Sequence, residues 1–284
     1  MLGTFRHAPV RRARVLALAL ALALGGCKAG GLGDITGSIN GGDRMPTSRE
    51  SLKAYAEDQG KRFEASPGDK AAAMNYARAL KALTQYNQAA AVLQTCLLRH
   101  ANDKELIAAY GKALADAGRF QEAVPVLASA HTPERPNWSV YNTQGSVADQ
   151  LGNHDQAQAF YHSALEIEPG EPTVLSNLGL SFALSKDLAR AEQTLRQASD
   201  SPRADARVRQ NLALVLALQG KFSEAETLSR KDLSAEEARA NVTAIRQMIA
   251  QSNTWREIQK LDGGKGKPGA AVPAVKMVAP EVAG

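Results

Sequence analysis

Small and large residues recur along the middle of the chain with a step of 34. Ala77, Gly111, Gly145, Gly179 and Ala213 form one series; Ala89, Ala123, Ala157, Ala191 and Ala225 form a second, each 12 residues after its partner. Leu93, Leu127, Tyr161, Leu195 and Ser229 form a third, and Cys96, Ala130, Ala164, Ala198 and Asp232 a fourth. A period of this length holds two helices of about 14 residues and a short turn. The turns read as Leu83–Tyr86, Ala117–Phe120, Leu151–His154, Ser185–Leu188 and Gln219–Phe222. Three of the five carry glycine where a helix end needs positive φ. One helix pair cannot bury its apolar face alone, so the copies must stack. The pattern predicts an all-α solenoid of five helix-pair repeats at 70–103, 104–137, 138–171, 172–205 and 206–235. Gly145 and Ala157 are expected to let paired helices approach, with Tyr161 and its equivalents filling the space between repeats. Pro125 is expected to kink the second helix of the second repeat or delay its start.

The flanks complete the stack. Residues 47–69 predict one capping helix, the second half of an incomplete repeat, with Thr47 or Ser48 as its N-cap. Residues 236–261 predict C-terminal capping helices. The first is expected to open on a capping box from Ser234 to Glu237 and run to about Ala250, with a short second helix around Asn253–Leu261. Residues 27–46 are Gly-rich without periodicity and predict a tether, and the Gly/Pro/Ala-rich residues 262–284 predict a disordered tail.

Residues 1–26 have the order of an export signal: Arg6, Arg11, Arg12 and Arg14, then the apolar run Val15–Leu24, then Gly25-Gly26-Cys27. As a helix, that apolar run spans about 15 Å, half of a ~30 Å hydrocarbon core. The ending Leu24–Cys27 resembles the lipobox of bacterial lipoproteins. That resemblance implies cleavage before Cys27 and lipidation of Cys27, giving membrane attachment through an N-terminal lipid. Lys28, instead of Asp, favours the outer membrane. The alternative is a soluble secreted chain with a chance cysteine near its cleavage site.

Charge then narrows the function. The formal net charge is +5, from 34 Lys and Arg against 29 Asp and Glu. The four signal arginines account for most of that excess, so the mature chain is nearly neutral and nucleic acid is not an expected partner. Two cysteines exclude a disulfide-stapled scaffold, and the five histidines are scattered. Cys96 falls on a small repeat position and reads as a buried structural cysteine. His154 and His162 lie two helical turns apart without further ligands, so no metal is expected. No nucleophile elbow, phosphate-binding loop or metalloprotease motif is present. No enzyme, cofactor or small-molecule substrate is expected.

The repeat resembles the tetratricopeptide repeat (TPR). The best copy is 138–171, WSVYNTQGSVADQLGNHDQAQAFYHSALEIEPGE, where Tyr141, Gly145, Gly152, Ala157, Tyr161, Ala164 and Pro169 fall on signature positions. His154 stands where an aromatic is usual, and Thr84 and Lys186 replace the turn glycine. The resemblance implies a superhelical solenoid whose first helices line a concave groove for protein partners. Carried over by position, the groove residues include Asn75, Arg78, Lys81, Ala108, Lys112 and Asp116; then Asn142, Ser146 and Asp149; then Ser176, Asn177, Leu180, Gln210, Asn211 and Leu214. Asn75, Asn177 and Asn211 resemble asparagines that hold ligand backbone in the family. Arg78, Lys81 and Lys112 make one end of the groove basic, suited to an acidic partner unless they are simply solvated.

The lipobox, tether, five TPRs and a final helix with Asn253-Thr254-Trp255 together resemble the TadD-type TPR lipoproteins of tight-adherence (Tad) pilus systems. That resemblance implies a scaffold facing the periplasm that assists the outer-membrane secretin and the assembly of Flp type IVb pili. The alternative in the same class is an adaptor for outer-membrane barrel assembly or for peptidoglycan-processing enzymes.

Overall fold

The computed structural model describes residues 45–261, with side chains through Gln251. The signal segment, Cys27, most of the tether and the 262–284 tail lie outside the described residues. Those that are described form twelve helices and no strand. The opening helix is α1 (Arg49–Ala65), capped by Ser48, whose hydroxyl accepts from the Ser51 N–H. Five helix pairs follow: α2 (Lys70–Ala82) with α3 (Tyr86–Leu97), α4 (Lys104–Asp116) with α5 (Phe120–Ala128), and α6 (Trp138–Gln150) with α7 (His154–Ile167). The last two are α8 (Pro172–Leu184) with α9 (Leu188–Ser199), and α10 (Ala206–Leu218) with α11 (Phe222–Ser229); α12 (Ala235–Leu261) closes the stack.

Local chemistry sets this register. The residue before each first helix is Asp69, Asp103, Asn137, Glu171 or Asp205, and each side chain accepts an N–H of the first turn. The cap thus recurs with the repeat, satisfying donors that the helix leaves open. Each first helix ends alike. Gln85, Arg119, Asn153, Asp187 and Lys221 donate their N–H back to Leu80, Leu114, Ala148, Phe182 and Leu216. The residue before each donor is left-handed: Thr84, Gly118, Gly152, Lys186 and Gly220. This is the Schellman turn, and it reverses the chain into the second helix.

Packing inside a pair depends on a missing Cβ. A Cβ added to Gly145 would lie 2.5 Å from Tyr161 Cε1, and one on Gly179 would lie 2.6 Å from Leu195 Cγ. Gly111 meets Leu127 in the same way. Tyr161 therefore packs against Gly145 of its own repeat. The reason is spacing: 16 residues carry the chain up one helix, round the turn and back to the same level. Ala89, Ala123, Ala157, Ala191 and Ala225 are all buried beside these contacts, as are Ala77 and Ala213. Pro169 precedes the glycine turn at Gly170, between α7 and α8.

Two expectations are corrected. Helix α5 starts at Phe120, one repeat after Tyr86, so Pro125 does not delay it; the helix is instead short, at 9 residues. Pro125 lies beyond the first turn, and its carbonyl still accepts from the Ser129 N–H. At the C-terminus α12 is one helix of 27 residues rather than two. No glycine or proline lies between Ala235 and Leu261 to break it. Its start is the expected capping box: Ser234 N–H donates to Glu237 Oε2 at 2.9 Å, and Glu237 N–H to Ser234 Oγ at 3.2 Å. Ala238 and Val242 of α12 are buried, with Val242 packed among the core residues of the last repeats. No described helix is long and apolar enough to cross a membrane.

Candidate partner-binding face

The first helices α2, α4, α6, α8 and α10 lie side by side, each touching the next. Together they make one face of the stack. Their polar side chains link one first helix to the following one. Lys81 Nζ pairs with Asp116 Oδ2 at 2.7 Å, Asn177 Nδ2 donates to Asn142 Oδ1 at 2.9 Å, and Asn211 Nδ2 donates to Ser176 Oγ at 3.0 Å. Each of these pairs is separated by 35 residues, one more than the repeat. Lys112 Nζ donates to Ser139 Oγ at 2.6 Å.

Asp149 is the centre of a tighter cluster. Its side chain is only 7% exposed. It accepts from Tyr161 Oη at 3.1 Å and Ser181 Oγ at 2.8 Å, and pairs with His154 Nδ1 at 2.8 Å. Burial and then the Asp149 charge push the Tyr161 hydroxyl far above the usual tyrosine range, so it remains a donor. Asp149 therefore joins the third repeat to the fourth, and its carboxylate points into the stack.

The groove residues expected from the sequence thus divide. Asn142, Asp149, Asn177 and Asn211 are engaged by neighbouring repeats. Leu214 is buried, whereas Leu180 is half-buried and Leu184 is 47% exposed. Asn75 and Arg78 are half-buried, and among the described residues no carboxylate pairs with Arg78. Burial and the neighbouring Lys81 push the Lys112 ammonium below the ordinary lysine value, with Asp116 opposing them. The basic end therefore consists of Arg78 and Lys112, because Lys81 is occupied. The cross-repeat pairs were missed at the sequence level. Their signal is a polar residue recurring at the repeat length plus one, the step that brings side chains on parallel neighbouring helices together.

Cys96 is buried, and burial raises its thiol further from the reactive thiolate. His154 is held by Asp149, and His162 is exposed. Among the described residues no three His, Cys, Asp or Glu side chains are placed to hold a metal ion.

Comparison with known proteins agrees on the fold. A tetratricopeptide-repeat family model matches residues 150–210. The crystal structure of PilW, described as a widely conserved type IV pilus biogenesis factor, is similar at a TM-score of 0.60 and 16% identity, covering 68% of this chain and 91% of that one. A thermophilic TPR protein of Thermus thermophilus is similar at a TM-score of 0.54 and 19% identity, covering 62% of this chain and 97% of that one. In sequence, a protein named "Probable biofilm formation methyltransferase WspC" from Pseudomonas aeruginosa is 31% identical over 86 residues, 30% of this chain and 20% of its own length. Its Pseudomonas putida namesake is 31% identical over 108 residues, 38% of this chain and 25% of its own length. The chain thus spans only a fifth to a quarter of these curated relatives. The fold is an all-α TPR stack, an architecture that serves protein interaction.

Proposed function

We propose that this chain is a lipid-anchored TPR scaffold on the periplasmic face of the outer membrane. There it binds protein partners and assists secretin and Flp type IVb pilus assembly. The observation that carries the scaffold reading is the face built by the five adjoining first helices, which carries polar and basic side chains and the exposed Leu184. Extended faces of this kind hold peptide segments of other proteins. The anchor rests on the sequence Leu24–Cys27, and the pilus system rests on the family resemblance of the whole chain. The similarity of fold to PilW is in keeping with that role.

The test is deletion of the gene, read out as detergent-resistant secretin multimers in the outer membrane and Flp pilin on the cell surface. Both are expected to fall and to be restored by the wild-type chain. Cys27→Ser is expected to lose palmitate labelling and the membrane fraction, and to restore neither. Normal multimers and normal pilin in the deletion strain would contradict the pilus role. A defect in barrel insertion or in the cell wall would then point to the alternative adaptor role.

A further inference from the structure

We infer that the first-helix face of repeats one and two receives an acidic peptide segment, with its carboxylates held by Arg78 and Lys112, an assignment that rests on the scaffold reading above. Arg78 and Lys112 occupy the same position on consecutive first helices, α2 and α4. Packed helices lie about 8–10 Å apart, and that is the scale on which the two helices carrying these cations are spaced. Two carboxylates three residues apart on a polyproline II segment lie on one face about 9 Å apart, which suits that spacing.

The charges around them leave room for an anion. Lys81, the third basic residue of this face, is paired with Asp116 at 2.7 Å, and that pair cancels. Glu105 is held by Lys70 at 2.7 Å. Asp149 is turned into the stack. What remains facing a partner is Arg78 and Lys112. Lys112 is recessed, and among the described residues its ammonium makes one hydrogen bond, to Ser139. An ammonium has three donors, so two are left for an incoming carboxylate. Burial weakens the solvation of this cation and Lys81 repels it, while Asp116 offsets part of both. A carboxylate relieves both, and attraction between charges is stronger at a partly dry site than on open surface.

The experiment titrates the full lipoprotein, purified in detergent, into a fluorescein-labelled dodecapeptide carrying glutamate at every third position. The same peptide with glutamine at those positions is the control, and anisotropy is read at low and high salt. The glutamate peptide is expected to bind at least roughly tenfold more tightly than the glutamine peptide, with affinity falling as salt rises. Arg78→Glu and Lys112→Met are each expected to weaken the glutamate peptide by roughly tenfold and to flatten the salt response. Lys112→Met keeps the packed stem and removes only the charge. If it fails to fold, Arg78→Glu at a half-buried site decides the matter. Lys231→Glu, an exposed change away from this face, is expected to bind as wild type.

Equal binding of the two peptides, no binding at all, or equal weakening by Lys231→Glu would overturn the assignment. Such a result, in cells whose secretin assembly still requires the protein, removes this site and leaves the scaffold standing. Loss of the secretin requirement itself removes the scaffold reading.

Discussion

Thr84 and Lys186 hold φ at 61° and 69°, where the other three repeats place glycine. A side chain in the left-handed region costs about 1–2 kcal/mol, and a β-branched one such as threonine is the worse fit. The turn survives because both of its reverse hydrogen bonds are made, from Thr84 to Lys81 and from Gln85 to Leu80. Thr84 is exposed, so its side chain contributes little that glycine would lose. Thr84→Gly is therefore expected to stabilise the fold by about 1 kcal/mol, less whatever glycine adds to the entropy of the unfolded chain. Urea unfolding checks this, and a lower midpoint for the variant would contradict it. The same reasoning explains why the register was legible in sequence. Glycine at 118, 152 and 220 and small residues at 111, 145 and 179 report backbone geometry directly, because few other residues fit there.

At the scale of elements, the first helices are held at their starts by side-chain caps. Burial alone would raise the Asp103 carboxyl, but its bonds to the Lys70 ammonium and to the N–H groups of Leu106 and Glu105 outweigh burial and hold it below the usual aspartate range. A carboxyl depressed in the folded state adds stability above its unfolded value, near 3.9, and loses it as pH falls through the folded value. Asparagine also caps helices but carries no charge. Asp103→Asn is thus expected to be less stable than wild type at neutral pH, with the gap closing as pH falls toward about 3. Urea unfolding at the two pH values measures it, and a gap that persists in acid would contradict the linkage. Caps were readable at Ser48 and at Ser234 with Glu237, because the donor and acceptor lie within one turn. The end of α12 was not. Nothing between Ala250 and Asn253, where a break is expected, enforces one, and no glycine or proline interrupts the helix.

For the molecule as a whole, the sequence carried the repeat and the face but not the state of the side chains on it. Position in the repeat says which residues lie on the first-helix face. It does not say that Asp149 turns inward to Tyr161, Ser181 and His154, or that Lys81 is spent on Asp116. Those partners are 5 to 35 residues away and depend on how neighbouring helices pack. What is left for a partner is a face basic at Arg78 and Lys112, polar through Ser146 and apolar at Leu184. The most direct test of the central claim is photocrosslinking in living cells. A photoreactive residue is placed at Arg78, Ser146 or Leu184 on the first-helix face, or at Val124 or His162 on second helices, all but Arg78 exposed. The account predicts adducts with the secretin from first-helix positions and none from Val124 or His162. Adducts only from the second-helix positions, or no secretin adduct from any position, would contradict it.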